Sequence, residues 1–176
     1  MNHDESDGQR PYLNNPRSET KVAGRQDADR FHKLHLFRAG SAQFGIFADA
    51  VTAIVEWREP TPLPRAPESV LGIVNIQGHM LTVLDVAALI GHESASSDAR
   101  TQHLIALRGD EQLALAIDSL GETIEITPDD FQAKRDTDEP LVLGVLHREG
   151  ADINILNSKE LFSTAIQGRE RRRRRF

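Results

Sequence analysis

The chain has 176 residues, 39% of them hydrophobic, no cysteine, and a formal net charge of −6. That length supports one domain or a pair of small fused subdomains around a buried core, and the lack of cysteine removes disulfides, thiolate nucleophiles and cysteine metal sites. No apolar run approaches the roughly 20 residues a membrane helix needs, and the polar, acidic start MNHDESDGQR is not a secretory signal, so the expectation is a cytoplasmic protein without a transmembrane segment.

Charge is unevenly spread. Residues 169–176 hold six Arg against one Glu, so the body before them is more acidic than the total states. Such a body lacks the basic face that phosphates require, and no nucleic-acid binding is expected of the folded domain. Residues 1–30 are polar with almost no apolar groups, too few to offset their ordering entropy, and read as a disordered lead-in. Order is expected from Phe31. Lys33–Arg38 and Gln43–Ala48 have strand composition and flank the turn Ala39-Gly40-Ser41. A helical turn near Ala50 then runs into a strand ending near Trp57. Four prolines between Pro60 and Pro67 exclude helix and central strand, leaving an extended connector.

Val70–Ile76 and Met80–Leu84 are two apolar runs too short for ordinary helices, joined by Gln77-Gly78-His79. They read as two strands around a turn in which Gly78 supplies positive φ. Asp85 is placed to cap a helical turn over Val86–Ile90, and Gly91 to close it. HESASSDART, residues 92–101, reads as a linker. Beyond it, His103–Arg108 and Gln112–Ile117 predict a hairpin around Gly109-Asp110-Glu111, and Thr123–Thr127 a half-buried strand broken at Pro128. Leu141–His147 and Ile153–Leu156 predict a last hairpin around Glu149-Gly150, followed by a helix from Asn157 to Phe162 capped by Asn157 or Ser158. A weak internal echo links Leu71-Gly72…Leu84-Asp85-Val86 to Leu143-Gly144…Leu156-Asn157-Ser158.

Catalytic patterns are absent from the sequence. Asp118, Glu122 and Glu125 are spaced along a strand-rich surface rather than converging, which favours a solvated acidic face over an acid–base pair. His32 and His35, three apart on a strand, point to opposite faces and make a poor metal site. There is no G-x-S-x-G, G-x-G-x-x-G or P-loop. No catalytic residue, metal or cofactor is expected, and the reading is a surface for partners.

The order Gly72-x-x-Asn75-Ile76-x-Gly78-x-x-x-x-Val83-x-Asp85 resembles the central motif of the CheW-like family of chemotaxis coupling proteins. AIDSLGETIEITPDD (116–130) is similar to that family's second-half strand-and-turn segment, and LGVLHREGADINILNSKELF (143–162) to its closing unit. The resemblance spans about residues 31–165. It departs at Gln77, where the family typically has Arg, at Thr82, often Pro, and at Asn157, commonly Asp. It implies a mainly β fold of two small five-stranded SH3-like barrels with short helices, occupying residues 31–167 between the lead-in and an Arg-rich tail at 168–176.

By resemblance, the function is a non-catalytic adaptor in a two-component system. It would join the cytoplasmic tip of methyl-accepting-type chemoreceptors to the CheW-like regulatory domain of a histidine kinase, and it would sit at receptor arrays. The residues matching the family's receptor-side groove are Ile54, Glu56, Gly72, Asn75, Gln77, Gly78 and Met80. Two readings of Gly72 and Gly78 stand open: room for an approaching helix, or service to the hairpin alone. Gln77 can only hydrogen-bond where an Arg could pair with a carboxylate at Glu56. The run Arg171, Arg172, Arg173, Arg174 and Arg175 supports a second reading, a polyanion-binding or membrane-surface regulator, beside those of a solubilising end and of a contact with an acidic protein.

Overall fold

The computed structural model describes residues 31–91, 101–133 and 140–166. The lead-in, the Arg-rich tail and nearly all of the 92–101 linker lie outside the described residues. Among the described residues, eleven strands form two sheets. β1 (His32–Ala39), β2 (Ala42–Phe47), β8 (Ser119–Ile126), β9 (Phe131–Ala133), β10 (Val142–Arg148) and β11 (Ala151–Leu156) build the first, in the order β8-β1-β2-β11-β10-β9. The second runs β3-β6-β7-β5-β4, from β3 (Val51–Glu56), β4 (Val70–Ile76), β5 (His79–Asp85), β6 (His103–Leu107) and β7 (Leu113–Ile117).

Each sheet curls on itself. Ile124 and Ile126 of β8 share one core with Leu146 of β10 and Phe131 of β9, although these strands stand at opposite ends of the sheet order. In the second sheet Ala53 and Val55 of β3 likewise meet Val74 and Ile76 of β4. A third core lies between the sheets, where Phe37, Phe44 and Ile46 meet Leu84, Ile105, Leu115 and Ile117. The molecule is thus two barrel-like sheets with an apolar seam. The mainly β, two-barrel expectation stands, with one difference: the first sheet has six strands rather than five. The sixth, β9, pairs Ala133 with Gly144 and Phe131 with Leu146, just past the Pro128 break where the sequence reading ended the strand.

The two sheets are built alike. β4–β5 pairs Val70 with Leu84 and, after a bulge, Gly72 with Val83; β10–β11 pairs Val142 with Leu156 and, after the same bulge, Gly144 with Ile155. One constant spacing along the chain relates every one of these positions, and it also carries Gln77-Gly78 onto Glu149-Gly150. Both dipeptides take positive φ, 52° and 89° in the first and 52° and 78° in the second, the signature of a two-residue hairpin turn matched to strand twist. In each sheet one parallel pair joins the halves of the chain: β5 with β7, and β11 with β2. Even β9 has a counterpart, the isolated bridge between Thr61 and Ile73.

The correspondence exposes an exchange. β1 and β2 come from the first half of the chain, yet they complete the sheet that holds β8 to β11. β6 and β7 come from the second half and complete the sheet that holds β3 to β5. Helical segments cover the seam. Asp85 caps α1 (Val86–Ile90) by accepting from the Ala88 N–H, and Gly91 closes it at φ 77°. Asn157 caps the turn Ser158–Glu160 by accepting from the Lys159 N–H. Helix then continues over 161–166, burying Leu161 and Ala165 in the seam.

Candidate docking site

The β4–β5 hairpin carries Asn75, Gln77, Gly78 and Met80, and Asn75 organises it. Its Oδ1 accepts from the Gly78 N–H at 3.0 Å, which holds the turn closed, and its Nδ2 lies 3.6 Å from Met80 Sδ. Its carbonyl oxygen faces Nη1 of Arg58 at 3.4 Å. Met80 sits on the outer face of β5, between the solvent-facing turn and buried Leu81, and is 54% exposed. A Cβ built at Gly78 would meet nothing within 4 Å. The hairpin therefore offers bare backbone beside an apolar, polarizable side chain, a surface that adapts readily to a packed partner.

The other candidates occupy different surroundings. Gly72 is buried, at φ 147°, and a Cβ there would stand 2.2 Å from the Thr61 carbonyl oxygen. Its smallness serves the passage of the proline connector. Ile54 is half-buried and packs against the seam. Glu56 is exposed on β3 opposite His103. Gln77, at φ 52°, lines a cavity of about 420 Å³ at the end of the second sheet with Thr52, Ala53, Arg108 and Gln112, and Glu56 takes no part in that lining. Among the described residues no hydrogen bond joins Gln77 to Glu56. The structure thus brings Asn75, Gln77, Gly78 and Met80 together on one hairpin and sets Gly72 beneath the connector.

Arg58, which faces the Asn75 carbonyl, was not singled out by the sequence reading. It belongs to no motif, and only the folding of the chain after β3 along the outer edge of β4 reveals it. Trp57 N–H donates to the Gln102 carbonyl at 2.8 Å, and Thr61 N–H to the Ile73 carbonyl at 2.8 Å. Arg58 is suspended between these two anchors.

The equivalent hairpin on the first sheet is chemically different. His147 and Asp152 replace Asn75 and Met80, with Nδ1 and Oδ1 2.5 Å apart. Arg148 spans the end of that sheet to Glu122 at 3.2 Å, where the second sheet has Ile76. A further cavity of about 630 Å³ lies where the sheets meet, lined by Ile46, Phe47, Leu143 and Leu156 among others. Among the described residues, no group of His and acidic side chains could hold a metal ion, and no helix is long and apolar enough to cross a membrane.

Paired barrel-like sheets that exchange strands, each with a two-residue hairpin turn open to solvent at its glycine, define the class of this small β domain. The family description "CheW-like domain" matches residues 33–165. The chain belongs to that family. It is 28% identical over 134 residues to the chemotaxis protein CheW of Rhizobium meliloti (strain 1021), covering 74% of this chain and 86% of that one. It is also 28% identical over 138 residues to the protein FrzA of Myxococcus xanthus, covering 74% and 85%. Among solved structures, the scaffolding protein TtCheW from Thermoanaerobacter tengcongensis superposes with a TM-score of 0.65 at 22% identity, over 73% of this chain and 90% of that one.

Proposed function

We propose that the protein is a non-catalytic adaptor that couples chemoreceptors to the regulatory domain of a histidine autokinase. The observation that carries this reading is the β4–β5 hairpin, whose Met80 and Gly78 stand open to a partner in a chain of the CheW-like family. A receptor helix pair would lie against this hairpin, burying Met80 and approaching the backbone at Gly78, a helix-in-groove mode of recognition. The kinase domain would pair with the protein elsewhere on its surface. The test is a titration of the full chain against the histidine-kinase regulatory domains and the receptor tips of the same organism. Saturable binding that survives moderate salt supports coupling and identifies the pathway. No binding to any kinase domain sinks it.

A second reading rests on the run Arg171–Arg175: an electrostatic tether to an anionic surface or polyanion. Deleting residues 169–176 separates the two. Loss of localisation with intact kinase binding favours the tether, and an unchanged protein leaves the adaptor alone.

A further inference from the structure

We propose that Arg58 is the charge-reading residue of the docking site, pairing with a carboxylate on the helical partner that covers Met80 and Gly78. This rests on the docking reading above and adds a residue and a partner chemistry to it. Arg58 leaves the end of β3 as an exposed side chain, and one donor of its guanidinium reaches the Asn75 carbonyl at 3.4 Å. Guanidinium carries five N–H donors in a rigid fork, so this contact aims the group and leaves most of it unused. Glu56 and Glu59 flank it in sequence, yet among the described residues neither makes an ion pair with it.

The arrangement is a cation steadied by the same residue, Asn75, that closes the turn and touches Met80. Charge, apolar knob and bare backbone therefore sit around a single hub. The complementary ligand is a helix whose small or aliphatic face carries a carboxylate within reach of the fork. Arginine suits this role better than lysine, because its planar donors meet a carboxylate in two parallel hydrogen bonds.

The single tryptophan, Trp57, adjoins Arg58 and gives the full chain an intrinsic fluorescence reporter. The probe is a soluble helical-hairpin fragment of a chemoreceptor cytoplasmic tip, titrated into wild type, Arg58→Gln, Arg58→Lys and Arg58→Glu at two salt concentrations. Arg58→Gln removes the charge and shortens the side chain, whereas Arg58→Lys keeps the charge without the fork, so the salt dependence of the two variants separates reading of the partner from bracing of the hairpin. The expected result is a Kd raised about tenfold for Arg58→Gln, with a flatter salt dependence. Arg58→Lys should fall between it and wild type. Arg58→Glu should bind most weakly and recover when one acidic residue of the probe is changed to Lys. If wild type binds while Arg58→Gln and Arg58→Glu bind equally well with the same salt dependence, Arg58 only braces the hairpin and the inference is overturned. If wild type does not bind the probe, the receptor-docking reading falls and takes the inference with it.

Discussion

Gly72 and Gly78 lie six positions apart in the same hairpin, and they answer to different constraints. At Gly72 the backbone sits at φ 147° and the connector carbonyl of Thr61 occupies the space of a Cβ. Gly72→Ala must therefore displace backbone, and a loss of about 2–3 kcal/mol in urea denaturation is expected. Gly78→Ala meets no neighbour and pays only for positive φ, about 1 kcal/mol. The glycines were legible in the sequence as a pair. Their division of labour was not, since it depends on connector residue Thr61, eleven positions earlier, folding back over one of them. At the turn after β8, Thr127 donates from both N–H and Oγ1 to Asp130 Oδ2. The backbone hydrogen bond, followed by the hydroxyl, holds the Asp130 carboxyl below the usual aspartate range. A depressed folded value means the turn is fully supported above the ordinary aspartate pKa and loses that support as pH falls through the lowered one. The Thr127 amide resonance should titrate with a midpoint below the ordinary aspartate value, and Asp130→Asn should abolish the transition.

Among the elements, β7 shows how one strand can serve two cores. All five of its residues are buried. Ala114 and Ala116 face the narrow interior of the second sheet, whereas Leu113, Leu115 and Ile117 face the seam between the sheets. Small and large residues alternate because one side is tight and the other roomy. Ala114→Leu should overpack the interior and cost about 1–3 kcal/mol. Leu115→Ala should leave a hole in the seam and cost about 2–5 kcal/mol. Urea midpoints of the two variants check both values. The LALAI pattern announced a strand without revealing which side faced what, because neither face is polar. β8 and β9 mark the opposite failure. Leu120, Gly121 and Glu122 are exposed, so the start of β8 lacks an apolar alternation to read, and β9 is short enough that backbone pairing alone defines it.

For the whole molecule, the reciprocal exchange of strands makes the two halves of the chain mutual folding partners. Residues 31–91 hold β1 to β5 and residues 101–166 hold β6 to β11, and neither set contains the full complement of either sheet. Each half prepared separately should lack a cooperative thermal transition by circular dichroism, and mixing the two should restore one. A half that melted cooperatively alone would overturn this. The sequence showed the echo between the two hairpins and the likeness to a two-barrel family. It could not show that each barrel is shared, because strand exchange leaves each local pattern unchanged and alters only which strands are neighbours.

That sharing sets an order for synthesis on the ribosome. The second sheet has all its strands once Ile117 has emerged. The hairpin of β1 and β2 is made earlier, but it must wait for β8 to β11, the last of which ends at Leu156. Until then Phe37, Phe44 and Ile46 have only the outer face of the second sheet to rest against, across the seam they share with Leu115 and Ile117. The seam is therefore more than the place where two finished barrels meet: it can serve as a nursery surface that shelters the earliest-made strands from aggregation while the rest of the chain is translated.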